Sequence, residues 1–173
     1  PTNLMMFGTP TKLLDGGKTE EEFKQFLETG YARRLLFGYT ISTHRIKHAS
    51  AKERYTQMID KSLATSVADI QRIFTNFAKR PFNPVLQMSE ANSIYLIEYQ
   101  MKCEDQADDF KDHLGVHKAE MMHRYYKVLK LSGAYAFADG ATSITKDHLD
   151  YAISVVEDSG EAFHELMRKK GPY

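Results

Sequence analysis

Two short apolar runs near the start of the chain constrain its fold more than any other feature of the sequence. The first covers residues 4–7 and ends at Gly8-Thr9-Pro10, and the second covers residues 35–41. Short, nearly uninterrupted apolar runs between turn residues are typical of buried strands. With a helix between them, they predict a fragment of an α/β unit. The first run begins abruptly, and we interpret the fragment as lacking its N-terminal portion.

The segment between the two runs has the local chemistry of a helix. Thr19 and Glu22 have the spacing of a capping box, in which each side chain binds a main-chain amide at the start of the helix. Gly30 suits the left-handed conformation in which many helices end. An arginine pair, Arg33 and Arg34, then precedes the second apolar run.

The remainder of the chain predicts a helical bundle, because its apolar residues recur at steps of three and four. The inward-facing residues of the helix at 90–114 are predicted to be Ile94, Ile97 and Met101. The predicted fold is mainly α with a small β part, in two domains, residues 1–50 and 51–173. The expected elements are helices at 51–78 (broken near 64–66), 90–114, 117–138 and after Thr145, a short strand at 85–88 and an extended contact at Ile144.

Composition narrows the class of protein. The chain has 173 residues, of which 42% are hydrophobic, and a formal net charge of +0. The single Cys103 excludes an intramolecular disulfide and a cysteine-rich zinc site. No apolar run approaches the roughly 20 residues that span a bilayer, so we expect a cytoplasmic protein with no membrane partner. The balanced charge leaves nucleic-acid binding open, because a local basic patch can lie within a neutral total.

The arginine pair and the end of the first apolar run are the candidate sites. Arg33 and Arg34 fit either a pair of surface arginines or guanidinium groups directed at a nucleotide phosphate, which the planar fork of arginine suits. Thr9 fits either a turn residue or a polar group that orients a water molecule near a nucleotide.

No metal site and no self-sufficient catalytic site are predicted. His113 and His117 have the spacing of two metal ligands on a helix, but Gly115 lies between them and no H-E-x-x-H pattern is present. The sequence also contains no glycine-rich phosphate loop of the G-x-x-x-x-G-K-[ST] kind.

The order of the motifs resembles the second half of an AAA+-type helicase ATPase core. The resemblance lies in the strand ending Phe7-Gly8-Thr9-Pro10, the helix that follows, and the stretch from Gly30 through Arg33-Arg34 to Phe37. Residues 124–138 and 143–153 resemble the helical lid of minichromosome-maintenance-like helicases. The combination is closest to the helicase-like ATPases of phages and plasmids, which are often joined to a primase domain.

The resemblance implies a role for each candidate residue. Arg34, with Arg33 beside it, would be the arginine finger that faces a neighbouring subunit, and Thr9 would take the sensor-one position, where the family usually has asparagine. Arg124 would be the second sensor, which contacts the nucleotide. The strand that carries the phosphate loop would lie between the runs at 4–7 and 35–41 and belong to another polypeptide segment, or the fragment would close the gap by repacking or dimerising.

The resemblance also implies the nature of the whole protein. The chain would be the C-terminal portion of an ATPase core followed by a helical lid, and the full-length protein an ATP-dependent DNA helicase. That protein would use ATP and Mg²⁺, form a homo-oligomeric ring and act on single-stranded or forked DNA. Its N-terminal ATPase half would carry the phosphate loop, so the fragment alone should bind no cofactor.

Two other functions remain open at the level of the sequence. One is a non-enzymatic helical module of a phage that contacts protein or DNA through the basic segment at 44–48 with Lys52 and Arg54. The other is a structural or assembly protein of a phage.

We expect the 173-residue chain to hydrolyse no ATP, because its sequence contains no phosphate loop to hold the triphosphate. Phosphate release from a preparation free of contaminating ATPases checks this expectation. Turnover above that of an unrelated protein purified in the same way would contradict it.

Overall fold

The computed structural model describes residues 5–39, 50–60, 62–81 and 84–168. It is mainly helical, with two short parallel strands in the described residues. By its packing the chain divides into two units, Pro1–Tyr39 with Leu86–Tyr173, and Thr40–Val85. These units differ from the predicted domains, 1–50 and 51–173, because the N-terminal segment packs with the C-terminal helices.

The N-terminal segment contains helices α1 (Pro10–Leu13) and α2 (Lys18–Phe26), and a π-type turn at Leu27–Tyr31. Gly30 has a φ of 98° inside this turn, the left-handed conformation expected of it. The predicted capping box is wrong, because Gly17 is the N-cap of α2. The Glu20 carboxylate instead accepts a hydrogen bond of 2.8 Å from the Gly16 amide.

Both strands predicted in this segment are wrong in the described part of the chain. Residues 5–7 form no strand and are exposed, and residues 35–39 form no strand either; Leu4 and residues 40–41 lie outside the described ranges. A strand is stabilised by ladder hydrogen bonds to a neighbouring strand. Neither run has such a neighbour among the described residues, and residues 35–39 instead contact the helices through Phe37.

The C-terminal part of the same unit is a bundle of four helices. Ser89 caps helix α5 (Glu90–Asp108) as predicted, its hydroxyl accepting from the Asn92 amide at 3.2 Å. The predicted helix at 117–138 is interrupted at His123 and therefore forms two helices. The bundle consists of α5 (Glu90–Asp108), α6 (Gly115–Met122), α7 (Arg124–Asp139) and α8 (Lys146–Arg168).

A short parallel pair of strands lies beside the bundle. Strand β1 (Gln87–Met88) pairs with β2 (Ser143–Ile144), with Gln87 opposite Ser143. The extended segments predicted around 85–88 and Ile144 are confirmed, and they pair with each other.

The buried face of α5 differs from the predicted one. Ile94, Ile97 and Met101 are 49, 52 and 58% exposed. The helix is rotated about its axis so that the Tyr99 hydroxyl donates a 2.6 Å hydrogen bond to Glu157 of α8. The face that packs into the main core consists of Leu96, Tyr99, Cys103 and Ala107.

The second unit contains α3 (Ala51–Met58) and α4 (Ser62–Ala78). The predicted break near 64–66 therefore falls earlier, between the two helices. No helix of the described residues is long and apolar enough to cross a membrane.

A network of buried charges joins three helices of the bundle. The side chain of Glu120, which is 0% exposed, accepts from Arg124 Nε at 3.0 Å and from Lys127 Nζ at 2.8 Å. Arg124 Nη1 also donates to Glu157 of α8 at 2.7 Å. Two carboxylates thus balance two cations, which is the condition under which buried charges are tolerated.

The guanidinium of Arg124 lies directly against the backbone of α8. A Cβ atom on Gly160 would lie 1.9 Å from Arg124 Nη2 and 2.2 Å from its Cζ. A side chain at position 160 would therefore displace the Arg124 guanidinium from Glu120 and Glu157, which accounts for a glycine in the middle of a helix, where glycine is otherwise unfavourable.

We expect Gly160→Ala to destabilise the protein by about 2 kcal/mol or more, because the methyl group displaces a buried ion pair. Gly133→Ala is the matched control, since it is also inside a helix but its Cβ would lie 3.9 Å from Leu86. This control should stabilise the protein by up to about 1 kcal/mol. Urea unfolding of both variants measures the difference, and equal free energies of unfolding would show that the network tolerates the methyl group.

Candidate functional site

The arginine pair is held against the bundle by a second, smaller core. Leu27 and Ala32 of the N-terminal segment are buried together with Phe163 of α8. The Phe37 and Phe163 rings lie 5.0 Å apart, so the chain is anchored on both sides of Arg33 and Arg34. The partly buried residues that complete this core are Phe23, Phe26, Phe37, Val116 and Met167.

Two polar contacts reinforce this anchor. The Phe37 amide donates to Ser159 Oγ at 2.7 Å. Lys127 Nζ, bound to Glu120, also donates to the Ala32 carbonyl at 3.4 Å. The second contact lies one residue before Arg33, so the buried charge network also bears on the position of the arginine pair.

Two histidines close one side of the smaller core. The rings of His117 and His164 are stacked with centroids 5.2 Å apart, and Phe163 lies 5.1 Å from His117. Burial lowers the pKa of both imidazoles. The neighbouring His164 lowers the pKa of His117 further, and Arg124 lowers the pKa of His164 further. Glu120 opposes both effects but does not reverse them.

A pocket of about 480 Å³ lies between α7 and the stretch at residues 32–37, hereafter the arginine segment. On the α7 side the lining residues from Tyr126 to Ala134 follow one another at steps of one and three, so they share one helix face, and His123 precedes them at the N-cap. The residues that line it are Arg33, Arg34, Leu36, His123, Tyr126, Lys127, Lys130, Leu131 and Ala134.

The charge of this pocket, hereafter the arginine pocket, is positive. In the described part of the chain, Arg33, Arg34 and Lys130 have no carboxylate partner. Lys127 contributes less, because its ammonium is bound to Glu120. No aspartate or glutamate is among the described residues that line the pocket. Several unneutralised cations in one concave site favour binding of an anion.

The positive potential of the pocket affects the pKa of His123. Burial lowers the pKa of its imidazole, and Arg33, Lys127 and Arg34 lower it further. His123 is therefore neutral at neutral pH and adds an aromatic surface rather than another charge.

The structure brings together two of the four site residues predicted from the sequence. Arg33 and Arg34 both line the arginine pocket, Arg34 being exposed and Arg33 half-buried. Arg124 does not line it; its side chain is 4% exposed and is engaged with Glu120 and Glu157. Its role as a second sensor stays a prediction.

Thr9 follows no strand within the described residues, which begin at residue 5. Its carbonyl accepts from the amides of Lys12 and Leu13 at 2.8 and 3.1 Å, which starts helix α1. Thr9 does not line the arginine pocket. Its sensor-one role stays a prediction.

The histidine pair considered as metal ligands lies in another cleft. His113 and His117 both line a pocket of about 620 Å³ between the Leu27–Tyr31 turn and α6. Arg33 lines this pocket too. The ranges that the structure describes contain no group of three or more His, Cys, Asp or Glu residues that could hold a metal ion.

The sequence reasoning missed His123, Tyr126 and Lys130. Tyr126 and Lys130 are four residues apart on one face of α7, and His123 stands at its N-cap; the spacing was available in the sequence. The spacing alone did not identify a site, because a helix face with these residues is also typical of one exposed to solvent. Only the folded chain shows that the arginine segment lies opposite this face.

No protein-family model, curated protein or solved structure matches this chain.

The stacked histidines predict that the protein is less stable in mild acid. Their folded-state pKa values are below 6.5, the ordinary value for histidine, so the unfolded chain binds more protons as the pH falls through that value. Stability is therefore full above about pH 6.5 and decreases below it.

Urea unfolding at a series of pH values between 7.5 and about 5 checks this dependence. The His117→Phe/His164→Phe double variant should show a shallower loss than the wild type, with the exposed His113→Gln as the control. An unchanged slope in the double variant would assign the acid sensitivity to other groups.

Proposed function

We propose that the chain is the C-terminal part of a phage- or plasmid-type helicase ATPase, in which the arginine pocket faces the nucleotide of a neighbouring subunit. One observation carries this proposal: Arg33 and Arg34 meet Lys130 in a pocket whose described lining contains no carboxylate. Cations left without acidic partners at a concave surface favour a phosphate group, and the planar fork of arginine suits it best.

The two arginines differ in a way that fits this proposal. Arg34 is exposed, whereas Arg33 is half-buried and also lines the larger pocket. Arg34 is therefore the side chain that can reach a group outside its own chain. The anchoring of Ala32 and Phe37 on either side limits how far its backbone can move.

In the proposed mechanism Arg34 stabilises the negative charge that develops on the phosphoryl group during ATP hydrolysis. Such a residue, supplied by a neighbouring subunit, makes hydrolysis depend on assembly of the homo-oligomeric ring. The phosphate loop and the Mg²⁺ ligands would come from the N-terminal half of the ATPase. Hydrolysis around the ring would move single-stranded DNA through its centre.

A non-enzymatic DNA-binding module is the second candidate. It is favoured by the exposed ring of Tyr126 beside the same cations, because aromatic and basic side chains together are typical of surfaces that bind single strands. The basic segment at 44–48, predicted to contact DNA, lies outside the described residues.

Arg34→Ala in the intact ATPase tests the first candidate. We expect hydrolysis to fall by about 10³-fold or more, because the charge of the transition state loses its partner. Nucleotide affinity should be nearly unchanged, since the phosphate loop supplies most of the binding. Lys102→Ala, at an exposed position on α5, is the matched control for the loss of one positive charge.

Hydrolysis by Arg34→Ala within a few-fold of the wild type would return this residue to the surface interpretation. A parallel fall in the control would attribute the loss to overall charge rather than to the pocket.

A further inference from the structure

We propose that the arginine pocket binds a whole nucleotide unit, with its phosphate on Arg33, Arg34 and Lys130 and its base stacked on Tyr126. This inference rests on the proposed function for the phosphate part of the ligand. It adds a site for the base, which the arginine residues alone do not provide.

Tyr126 presents an aromatic surface at the rim of the pocket. It is 46% exposed, and its ring is supported from within the protein, by Tyr125 at 3.9 Å and by His123 at 5.5 Å. The two neighbouring rings limit the rotamers that it can adopt. A supported ring with an open surface can stack on a base with little loss of side-chain entropy.

The cations and the ring are placed as a nucleotide requires. Tyr126 and Lys130 are four residues apart on α7, so their side chains are neighbours on one helix face. Arg33 and Arg34 approach the same face from the opposite side, close enough to lower the pKa of His123. Phosphate and base can therefore be bound from two sides of one pocket.

The apolar part of the pocket lining supports the same ligand. It consists of Leu36, Leu131 and Ala134, which lie among the cations. Inorganic phosphate leaves such a surface uncovered, whereas a sugar or a base buries it and gains from its burial. A peptide of acidic residues alone, such as polyglutamate, would use the cations but has no planar ring to place on Tyr126.

A free nucleotide and a nucleotide within a single strand share this chemistry. The experiment therefore measures the dissociation constants of the 173-residue chain for ATP, tripolyphosphate, an oligothymidylate and polyglutamate, all at one ionic strength. The variants are Tyr126→Leu, Tyr126→Phe and, as a matched control, Tyr151→Leu. Tyr151 is 71% exposed on α8 and does not line the arginine pocket.

We expect ATP, the oligothymidylate or both to bind more tightly than tripolyphosphate, although tripolyphosphate has the higher charge density. Tyr126→Leu should weaken nucleotide binding by about tenfold, within the range measured for the loss of one base–aromatic contact. It should not change the affinity for tripolyphosphate. Tyr126→Phe and Tyr151→Leu should bind like the wild type.

The NMR titration of the His123 ring is an independent readout. A bound phosphate offsets the field of the arginines and should raise the pKa of His123, whereas an anion bound elsewhere should leave it unchanged.

Each outcome decides the proposal. Tighter binding of the oligothymidylate supports a nucleotide within a single strand as the ligand. Tighter binding of ATP supports a free nucleotide, and it contradicts the expectation that the fragment alone binds no cofactor. The base site is overturned if nucleotides bind no more tightly than tripolyphosphate or polyglutamate. It is also overturned if Tyr126→Leu binds nucleotides as tightly as the wild type does. Absence of all binding overturns it too. The proposed function is judged separately, by hydrolysis in the Arg34→Ala variant of the intact protein.

Discussion

The buried pairing of Glu120 with Arg124 and Lys127 is the interaction on which the rest of the structure depends. A carboxylate with no exposed surface is tolerated only where cations surround it, and here the cations come from the helix that follows it. The interruption at His123 separates Glu120 from both of them. From this centre one contact reaches Glu157 of α8 and another reaches the carbonyl of Ala32. The charge that holds the bundle together thus also helps to place the arginine segment.

The arginine segment has no regular structure of its own, and its position comes from its neighbours. Residues 35–39 lack a strand partner in the described part of the chain, so the bundle supplies what a sheet would supply elsewhere: an apolar contact at Phe37 and a hydroxyl partner for its amide. Side chains that bind ligands are often carried by loops on a rigid scaffold. Arg33 and Arg34 fit that arrangement.

Much of the helical organisation was predictable from local chemistry, although the capping box at Thr19 and Glu22 was a local error. The cap at Ser89 and the left-handed Gly30 depend on neighbours in sequence, and the structure confirms them. It also confirms the extended segment around Ile144, whose partner strand is distant in sequence. The strands at 4–7 and 35–41 and the inward face of α5 depend on partners distant in sequence. Apolar periodicity placed Ile94 inside, whereas the hydroxyl of Tyr99 is bound by the half-buried carboxylate of Glu157 on α8. For the site, the arginine pair was visible in the sequence, but its meeting with Lys130 and Tyr126 requires the folded chain.

The parallel pairing of Gln87–Met88 with Ser143–Ile144 has a consequence for the order of folding. The helices α5, α6 and α7 all lie between these strands, so their pairing closes a long loop and carries a large entropic cost until those helices are packed. The hairpin of α7 and α8 needs only the short connection through Gly140, and contacts that are local in sequence form fastest. The bundle would then grow outward from that hairpin. The strand pair and the N-terminal arginine segment would be added last, and they would be the first parts to separate when the protein opens.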